Sequence, residues 1–170
     1  FSKTELSGEA MANLKTVLSQ AYEVMGKHDA AQQALAAALS AKPDYVPALI
    51  ASARAKAAQD DIAGAHSIID GILSKTPGDP DALLIKGSLL ASRGDQTGAM
   101  DQYMRAIQSK QDFIPAHSAI ISTLIQKGSL DDAAKQLETM KKVAPKNLQT
   151  LYLEAQIAYQ RKDFKSARDL

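Results

Sequence analysis

Apolar and polar residues follow a helical period in the block that runs from residue 80 to residue 113. Residues three and four apart form an apolar stripe in each half of the block: Leu83, Gly87 and Leu90, then Ala99, Tyr103 and Ala106. This spacing is typical of amphipathic helices. Between the halves, Gly94 can adopt the left-handed conformation that ends a helix. The pattern predicts a helical hairpin in which the stripes meet and Gly87 and Ala99 allow close approach.

The same pattern recurs four more times without insertion, so the hairpin is a repeat. The copies cover residues 12–45, 46–79, 80–113, 114–147 and, in part, 148–170. The twentieth position is always alanine: Ala31, Ala65, Ala99, Ala133 and Ala167. The twenty-fourth is large and apolar: Leu35, Ile69, Tyr103 and Leu137. We predict a single solenoid domain over residues 1–170, with residues 1–11 as the remnant of a preceding repeat whose twenty-fourth position is Phe1.

Two further positions, the eighth and the thirty-second, carry a resemblance to a known family. The eighth position is small in four copies, with Ser19, Ala53, Gly87 and Ala155, whereas Ile121 departs from this rule. The thirty-second position is Pro43, Pro77, Gln111 and Pro145. A 34-residue hairpin with these features resembles the tetratricopeptide repeat, although the family's fourth-position tryptophan is replaced by Lys15, Leu49, Leu83, His117 and Leu151. The resemblance implies an all-α, right-handed α-solenoid.

The composition argues against several classes of partner. The chain has 20 Lys and Arg against 19 Asp and Glu, so no global field attracts nucleic acid. The absence of cysteine excludes disulfides and thiolate metal sites. No apolar run reaches the roughly 20 residues that span a bilayer, so we predict no direct membrane insertion by this segment. An RNA-binding repeat array usually needs a basic face, and we therefore predict no nucleic acid partner.

Candidate chemistry is sparse. The three histidines, His28, His66 and His117, take different repeat positions and are not expected to meet at a metal. The pair Asp79 and Asp81 is explained by capping of a helix start. No phosphate loop, dinucleotide fingerprint or nucleophile elbow is present. We predict no metal, no cofactor and no enzymatic activity. The basic residues Lys135, Lys141, Lys142 and Lys146 are interpreted as solvated scaffold.

The family resemblance implies a partner-binding groove lined by the first helices of successive repeats. Carried over position by position, the groove comprises Ile50, Arg54, Leu84, Ser88, Ser118, Ser122, Gln126, Tyr152, Gln156 and Tyr159, with Asn13, Thr16, Gln20 and Glu23 in the first copy. The family's carboxylate clamp is missing, since its places hold residues such as Thr16, Gln20, Ala51 and Asp81. Two interpretations stay open: a solvated scaffold face, or a weakly polar groove for an extended partner segment.

The sequence therefore predicts a non-enzymatic scaffold for a protein or peptide partner. The last two copies also resemble repeat lipoproteins of bacterial exopolysaccharide export and the PEP-CTERM sorting system. That resemblance implies an exported, lipid-anchored protein that faces the periplasm. The alternative is a self-associating repeat module, because Ala155, Ala167 and Leu170 of the last copy lack a covering helix.

Overall fold

The computed structural model describes residues 7–164, and within that range all regular secondary structure is α-helical. The helices are α1 (Gly8–Val24), α2 (His28–Ala41), α3 (Val46–Ala58), α4 (Ile62–Lys75), α5 (Pro80–Ser92), α6 (Gln96–Ser109), α7 (Ile114–Gln126), α8 (Leu130–Val143) and α9 (Leu148–Gln160). Helices α3, α5, α7 and α9 begin at the first residues of the predicted copies. The starts of these helices are 34 residues apart, whereas the bounds of the copies stay a prediction. The predictions on Phe1, Ala167 and Leu170 lie outside the described residues.

The chain divides into two compact units with a boundary between Pro77 and Gly78. In the first unit α1 packs against α2 and α3, α2 packs against α3, and α3 packs against α4. In the second unit each of the helices α5 to α8 packs against the next one, and α7 also packs against α9. Each unit is therefore built from antiparallel helical hairpins stacked on one another.

Acidic and hydroxyl side chains fix several helix starts. The Ser7 hydroxyl accepts a hydrogen bond from the backbone N–H of Ala10 at 3.2 Å and so caps the start of α1. Asp79 accepts from the N–H of Ala82 at 2.8 Å, so the first carboxylate of the Asp79–Asp81 pair caps α5. Asp61 and Asp95 cap α4 and α6 in the same way. These carboxylates satisfy amides that the helices leave unpaired.

A left-handed residue ends the first helix of every repeat. The backbone φ is +70° at Gly26, +64° at Asp60, +84° at Gly94, +73° at Gly128 and +62° at Lys162. All five residues are 34 positions apart, and none of the other non-glycine residues of the described chain has a positive φ. Two repeats therefore keep the left-handed turn although Asp60 and Lys162 replace the glycine.

The twentieth and twenty-fourth repeat positions are buried in the copies that the structure describes. The alanines at the twentieth position are fully buried in the four copies that the structure describes: Ala31, Ala65, Ala99 and Ala133. Ile69 is fully buried, and Leu35, Tyr103 and Leu137 are at most 5% exposed. In the fourth copy the large Ile121 at the eighth position joins a cluster with Leu137 and Met140. Small residues at the eighth and twentieth positions therefore let the hairpins close around the large residue at the twenty-fourth.

The prediction that Leu90 is a core residue is wrong. Leu90 is only half-buried, whereas Ile85 and Leu89, which the stripe omitted, are buried. Helix α5 buries residues on more than one side, because a helix inside a stack of hairpins touches neighbours on several faces. A single apolar stripe does not describe such a helix.

Candidate protein-binding face

The predicted groove residues of the first unit lie on α1 and α3. Arg54 is exposed, whereas Ile50 is only 7% exposed. The prediction for Thr16 is wrong, because this residue is 2% exposed and its hydroxyl donates to the Ala12 carbonyl at 2.7 Å. Thr16 is a helix-packing residue, because it is buried and its hydroxyl bonds to the backbone of its own helix α1.

A cavity of about 320 Å³ opens between α1, α2 and α3. It is lined by Ser19, Gln20, Glu23, Leu35, Pro47, Ile50, Ala51, Arg54, Ala55 and Ala58. The buried residues among these are Ser19, Leu35 and Ile50, and the Ser19 hydroxyl is satisfied by the Thr16 carbonyl at 2.9 Å. The cavity therefore has a mostly apolar wall with few polar groups, which is the usual character of a binding pocket.

Two charged residues of opposite sign, Glu23 on α1 and Arg54 on α3, lie at this cavity. The Glu23 carboxylate is already paired with His28, with 2.8 Å between Oε2 and Nδ1. Arg54 is the only cation among the residues that line the cavity. The guanidinium can bind a carboxylate through two parallel hydrogen bonds.

In the second unit, the groove residues of α5 are Leu84 and Ser88. Leu84 is half-buried and Ser88 is exposed. The Ser88 hydroxyl donates to the Leu84 carbonyl at 3.0 Å and lies 3.4 Å from the Tyr103 hydroxyl. The Ser88 hydroxyl is thus already hydrogen-bonded within the second unit, although the side chain is exposed to solvent.

Helix α7 contributes Ser118, Ser122 and Gln126. Gln126 is exposed, and the two serines are half-buried. The Ser118 Oγ is buried and has no hydrogen-bond partner. This hydroxyl is one of two such side-chain atoms in the described part of the chain, the other being Nε2 of His66.

Helix α9 carries the largest exposed side chains among the predicted groove residues, Tyr152 and Tyr159. Tyr152 and Tyr159 are 61% and 62% exposed, and Gln156 between them is half-buried. The Tyr159 ring contacts Phe164 edge to face, with 5.7 Å between the ring centroids. Phe164 is itself 60% exposed and was missed by the sequence prediction, which considered only the first helix of each repeat. Rigid aromatic side chains of this kind are frequent anchors at protein interfaces.

His117 is buried and hydrogen-bonded within the second unit. His117 is 1% exposed; its Nε2–H donates to the Gln111 carbonyl and its Nδ1 accepts from the Gln136 amide, both at 2.9 Å. His117 is therefore a buried packing residue with both ring nitrogens hydrogen-bonded. Among residues 7–164, no group of three or more His, Cys, Asp or Glu side chains could hold a metal ion, and no helix is long and apolar enough to cross a membrane.

The basic residues near the end of the chain pair with acidic neighbours. Lys141 contacts both Glu138 and Glu154, and its hydrogen bond to Glu154 raises the pKa of its ammonium group. Lys135 contacts Asp132 at 3.1 Å. For these two lysines the scaffold interpretation holds, because their charges already have partners.

Models of the tetratricopeptide repeat match residues 25–89 and 119–170, which together exceed half of the chain. No curated protein matches the sequence. The chain belongs to the tetratricopeptide repeat family, and its fold is an all-α solenoid of these hairpins. That fold is generally a non-catalytic scaffold for protein–protein interaction, so the family supports this class of function. The absence of enzymatic activity stays a prediction.

Solved structures share the fold at low sequence identity. PilW, a widely conserved type IV pilus biogenesis factor, has a TM-score of 0.74 and 22% identity over 93% of this chain and 74% of its own. A tetratricopeptide repeat protein from Parabacteroides merdae has a TM-score of 0.66 and 16% identity over 94% of this chain. The present chain spans 63% of the length of that protein. YrrB, described as having an unusual peptide-binding site, has a TM-score of 0.55 and 14% identity over 91% of this chain and 80% of its own.

Proposed function

We propose that the protein is a non-enzymatic interaction scaffold that binds an extended segment of a protein partner. Each compact unit contributes its own binding residues, which are together called the inner face: the predicted groove residues on α3 in the first unit, and those on α5, α7 and α9 in the second. The observation that carries the proposal is the exposure of Tyr152 and Tyr159, both above 60%. Two exposed tyrosines on one helix are more than a solvated scaffold needs, and they offer rigid contact area with hydroxyls for hydrogen bonds.

Two further observations support this function. The cavity beside Arg54 provides an apolar recess next to a positive charge. YrrB, which shares the fold, is described as having a peptide-binding site. An extended segment suits a stack of hairpins because it can contact several repeats in turn.

A triple substitution of Arg54, Tyr152 and Tyr159 by alanine tests the proposal. All three side chains are exposed, so helicity and melting temperature should stay close to those of the wild type. The purified wild type should capture one or more specific proteins from the native extract, and the triple variant should lose them. Capture of the same proteins by both would overturn the role of the inner face.

We further propose that the protein supports exopolysaccharide export or protein sorting in a bacterial envelope. In this proposal the parent protein is exported and is anchored by a lipid. The resemblance of the last two copies to the repeat lipoproteins of those systems supports this role. Deletion of the gene should lower the amount of secreted polysaccharide, and the wild-type gene should restore it while the triple variant does not. Unchanged secretion after deletion would contradict an export role.

Self-association is the second candidate function, and an exposed apolar stripe on α1 favours it. Leu14, Val17 and Val24 are 52%, 55% and 92% exposed and recur at intervals of three and seven residues, a spacing that places them near one face of the helix. Light scattering over a concentration series tests this function, with Val17→Glu as the variant. A mass that rises with concentration in the wild type and stays constant in the variant is expected; a constant monomer mass in both would exclude it.

A further inference from the structure

Four exposed apolar side chains form a stripe on helix α1, here called the α1 stripe: Leu14, Val17, Ala21 and Val24. They follow one another at intervals of three, four and three residues. This is the spacing of the a and d positions through which paired helices contact each other. The buried residues of α1 lie about 150° around the helix from the stripe, so the stripe faces away from α2 and α3, which pack on the buried side.

The first residue of the stripe, Leu14, departs from the repeat pattern. It occupies the third repeat position, which holds Ala48 in α3, Ala116 in α7 and Thr150 in α9. These three small residues are fully buried, and their helices pack against the preceding hairpin of the same unit. A hairpin that approached α1 as closely would leave no room for a leucine at this position. The α1 stripe is therefore poorly suited to stacking of another hairpin of the solenoid.

The last residue of the stripe, Val24, departs from the pattern as well. It occupies the thirteenth repeat position, where the other copies carry Ala58, Ser92, Gln126 and Gln160. These four residues are small or polar and are exposed, whereas Val24 exposes 92% of a larger apolar side chain. A partner that buried Val24 would remove this apolar surface from water. Both departures from the repeat pattern thus lie at the ends of the same stripe.

The α1 stripe carries no charge that would keep two copies of the chain apart. The charged residues of α1 are Glu9, Lys15 and Glu23, and each lies about 100° or more around the helix from the middle of the stripe. Glu9 is paired with Lys42 at 2.7 Å, and Glu23 is paired with His28 at 2.8 Å. An uncharged apolar surface can contact a copy of itself without electrostatic repulsion, whereas a charged partner segment would find no opposite charge on it.

We propose that α1 pairs with α1 of a second copy of this chain in antiparallel orientation, so that Leu14 of each copy lies opposite Val24 of the other. Val17 then lies opposite Ala21, and every layer of the contact combines a larger with a smaller side chain. A parallel pair would set leucine against leucine and alanine against alanine, and would align the two helix dipoles. This inference deepens the second candidate function, self-association, and rests on it.

Disulfide crosslinking tests this pairing directly, because the chain contains no cysteine. Leu14→Cys and Val24→Cys each introduce a single thiol. The two full-length variants, one of them with a short mass tag, are mixed and oxidised in a glutathione buffer. In the antiparallel pair the two positions face each other, whereas each position lies about 15 Å along the helix axis from its counterpart in the other copy. Since a disulfide cannot bridge that distance, the mixed disulfide should exceed either homodimeric one by about tenfold or more.

Gln33→Cys, at an exposed position of α2, is the control. Mixed with Val24→Cys, it gives the rate at which disulfides form by random collision. A second pair, Val17→Cys with Ala21→Cys, leaves both ends of the stripe intact and should also crosslink above this rate. Mixed disulfides at the rate of random collision in both pairs would overturn the inference, and so would homodimeric disulfides of Leu14→Cys in excess of the mixed one.

The result is separable from the proposed functions. If the mass of the wild type rises with concentration while the disulfides form only at the rate of random collision, self-association uses another surface and only the inference is wrong. If the mass of the wild type stays that of a monomer up to about 1 mM, self-association is wrong, and the inference is wrong with it. The scaffold function is tested by substitutions outside α1, so neither result bears on it.

Discussion

The ring of Tyr103 covers the position where Gly87 would carry a Cβ atom. An added Cβ would lie 2.7 Å from the Tyr103 Cδ1 and 3.0 Å from the Ala99 carbonyl oxygen. Both distances are shorter than ordinary van der Waals contact. Gly87 and Tyr103 are the eighth and twenty-fourth positions of one repeat, so the smallest residue faces the only aromatic side chain that this repeat position carries in the described copies.

Gly87→Ala should therefore destabilise the second unit. The extra methyl group must displace the buried Tyr103 ring or the α6 backbone, and overpacking of this kind costs about 1–3 kcal/mol. Chemical denaturation followed by circular dichroism measures the change. The intrinsic preference of alanine for helices works in the opposite direction and reduces the net loss by up to about 1 kcal/mol.

Gly71→Ala is the matched control, with the opposite expected sign. Gly71 lies in α4, is exposed, and has nothing within 4 Å of its added Cβ. Here only the helix preference acts, and the substitution should stabilise the protein by about 0.5–1 kcal/mol. A loss of stability in both variants, or in neither, would contradict the assigned packing.

The turns between paired helices allow a reciprocal prediction. Asp60 and Gly94 occupy equivalent positions with φ of +64° and +84°. Asp60→Gly should stabilise the protein by about 0.5–1 kcal/mol, because glycine adopts this conformation without strain, and Gly94→Asp should destabilise it by a similar amount. Thermal melting of both variants checks the pair; equal shifts in one direction would show that backbone conformation does not control these turns.

Asp61 gives a prediction for pH. Its hydrogen bond with Lys56 and that with the backbone N–H of Gly64 hold the pKa of this carboxyl below its usual value. A lowered pKa means that the ionised group stabilises the fold above the unfolded-state pKa, near 4, and that this stabilisation is lost as the pH falls through the folded-state pKa. The melting temperature of Asp61→Asn should thus lie below that of the wild type at pH 7, and the difference should shrink as the pH falls through the folded-state pKa.

Lys56→Met supplies the control for this pH effect. In a double-mutant cycle with Asp61→Asn, the coupling between the two residues should be present at pH 7 and should decline as the pH falls through the folded-state pKa of Asp61. A coupling that does not change with pH would mean that charge pairing between Lys56 and Asp61 is not its source.

The repeat register could be predicted from the sequence because each copy contains the residues that mark it. Alanine at the twentieth position and a large residue such as Ile69 at the twenty-fourth recur every 34 residues, and the helices begin where this register places them. The turn at Asp60 also followed from the register, although the glycine is missing. Local spacing is sufficient wherever a residue's surroundings come from its own hairpin.

Other features depend on helices from different repeats and could not be predicted in this way. The burial of Ile85 and Leu89 and the half-burial of Leu90 reflect contacts on several faces of α5. The cavity beside Ile50 depends on the separation of α1 and α3, which no pattern within one repeat specifies. The boundary between the two compact units follows Pro77, but Pro43 and Pro145 occupy the same repeat position, so the pattern does not indicate which junction separates the units.

Site-specific photo-crosslinking in the native cell tests the central claim most directly, namely that the inner face binds a protein partner. A photoreactive phenylalanine analogue would replace Arg54 or Tyr152 on the inner face, or the exposed Gln33 on α2 as the control. The account predicts that irradiation produces a discrete adduct with the same protein from Arg54 and Tyr152 and none from Gln33. An adduct formed from Gln33 but from neither inner-face position would contradict it.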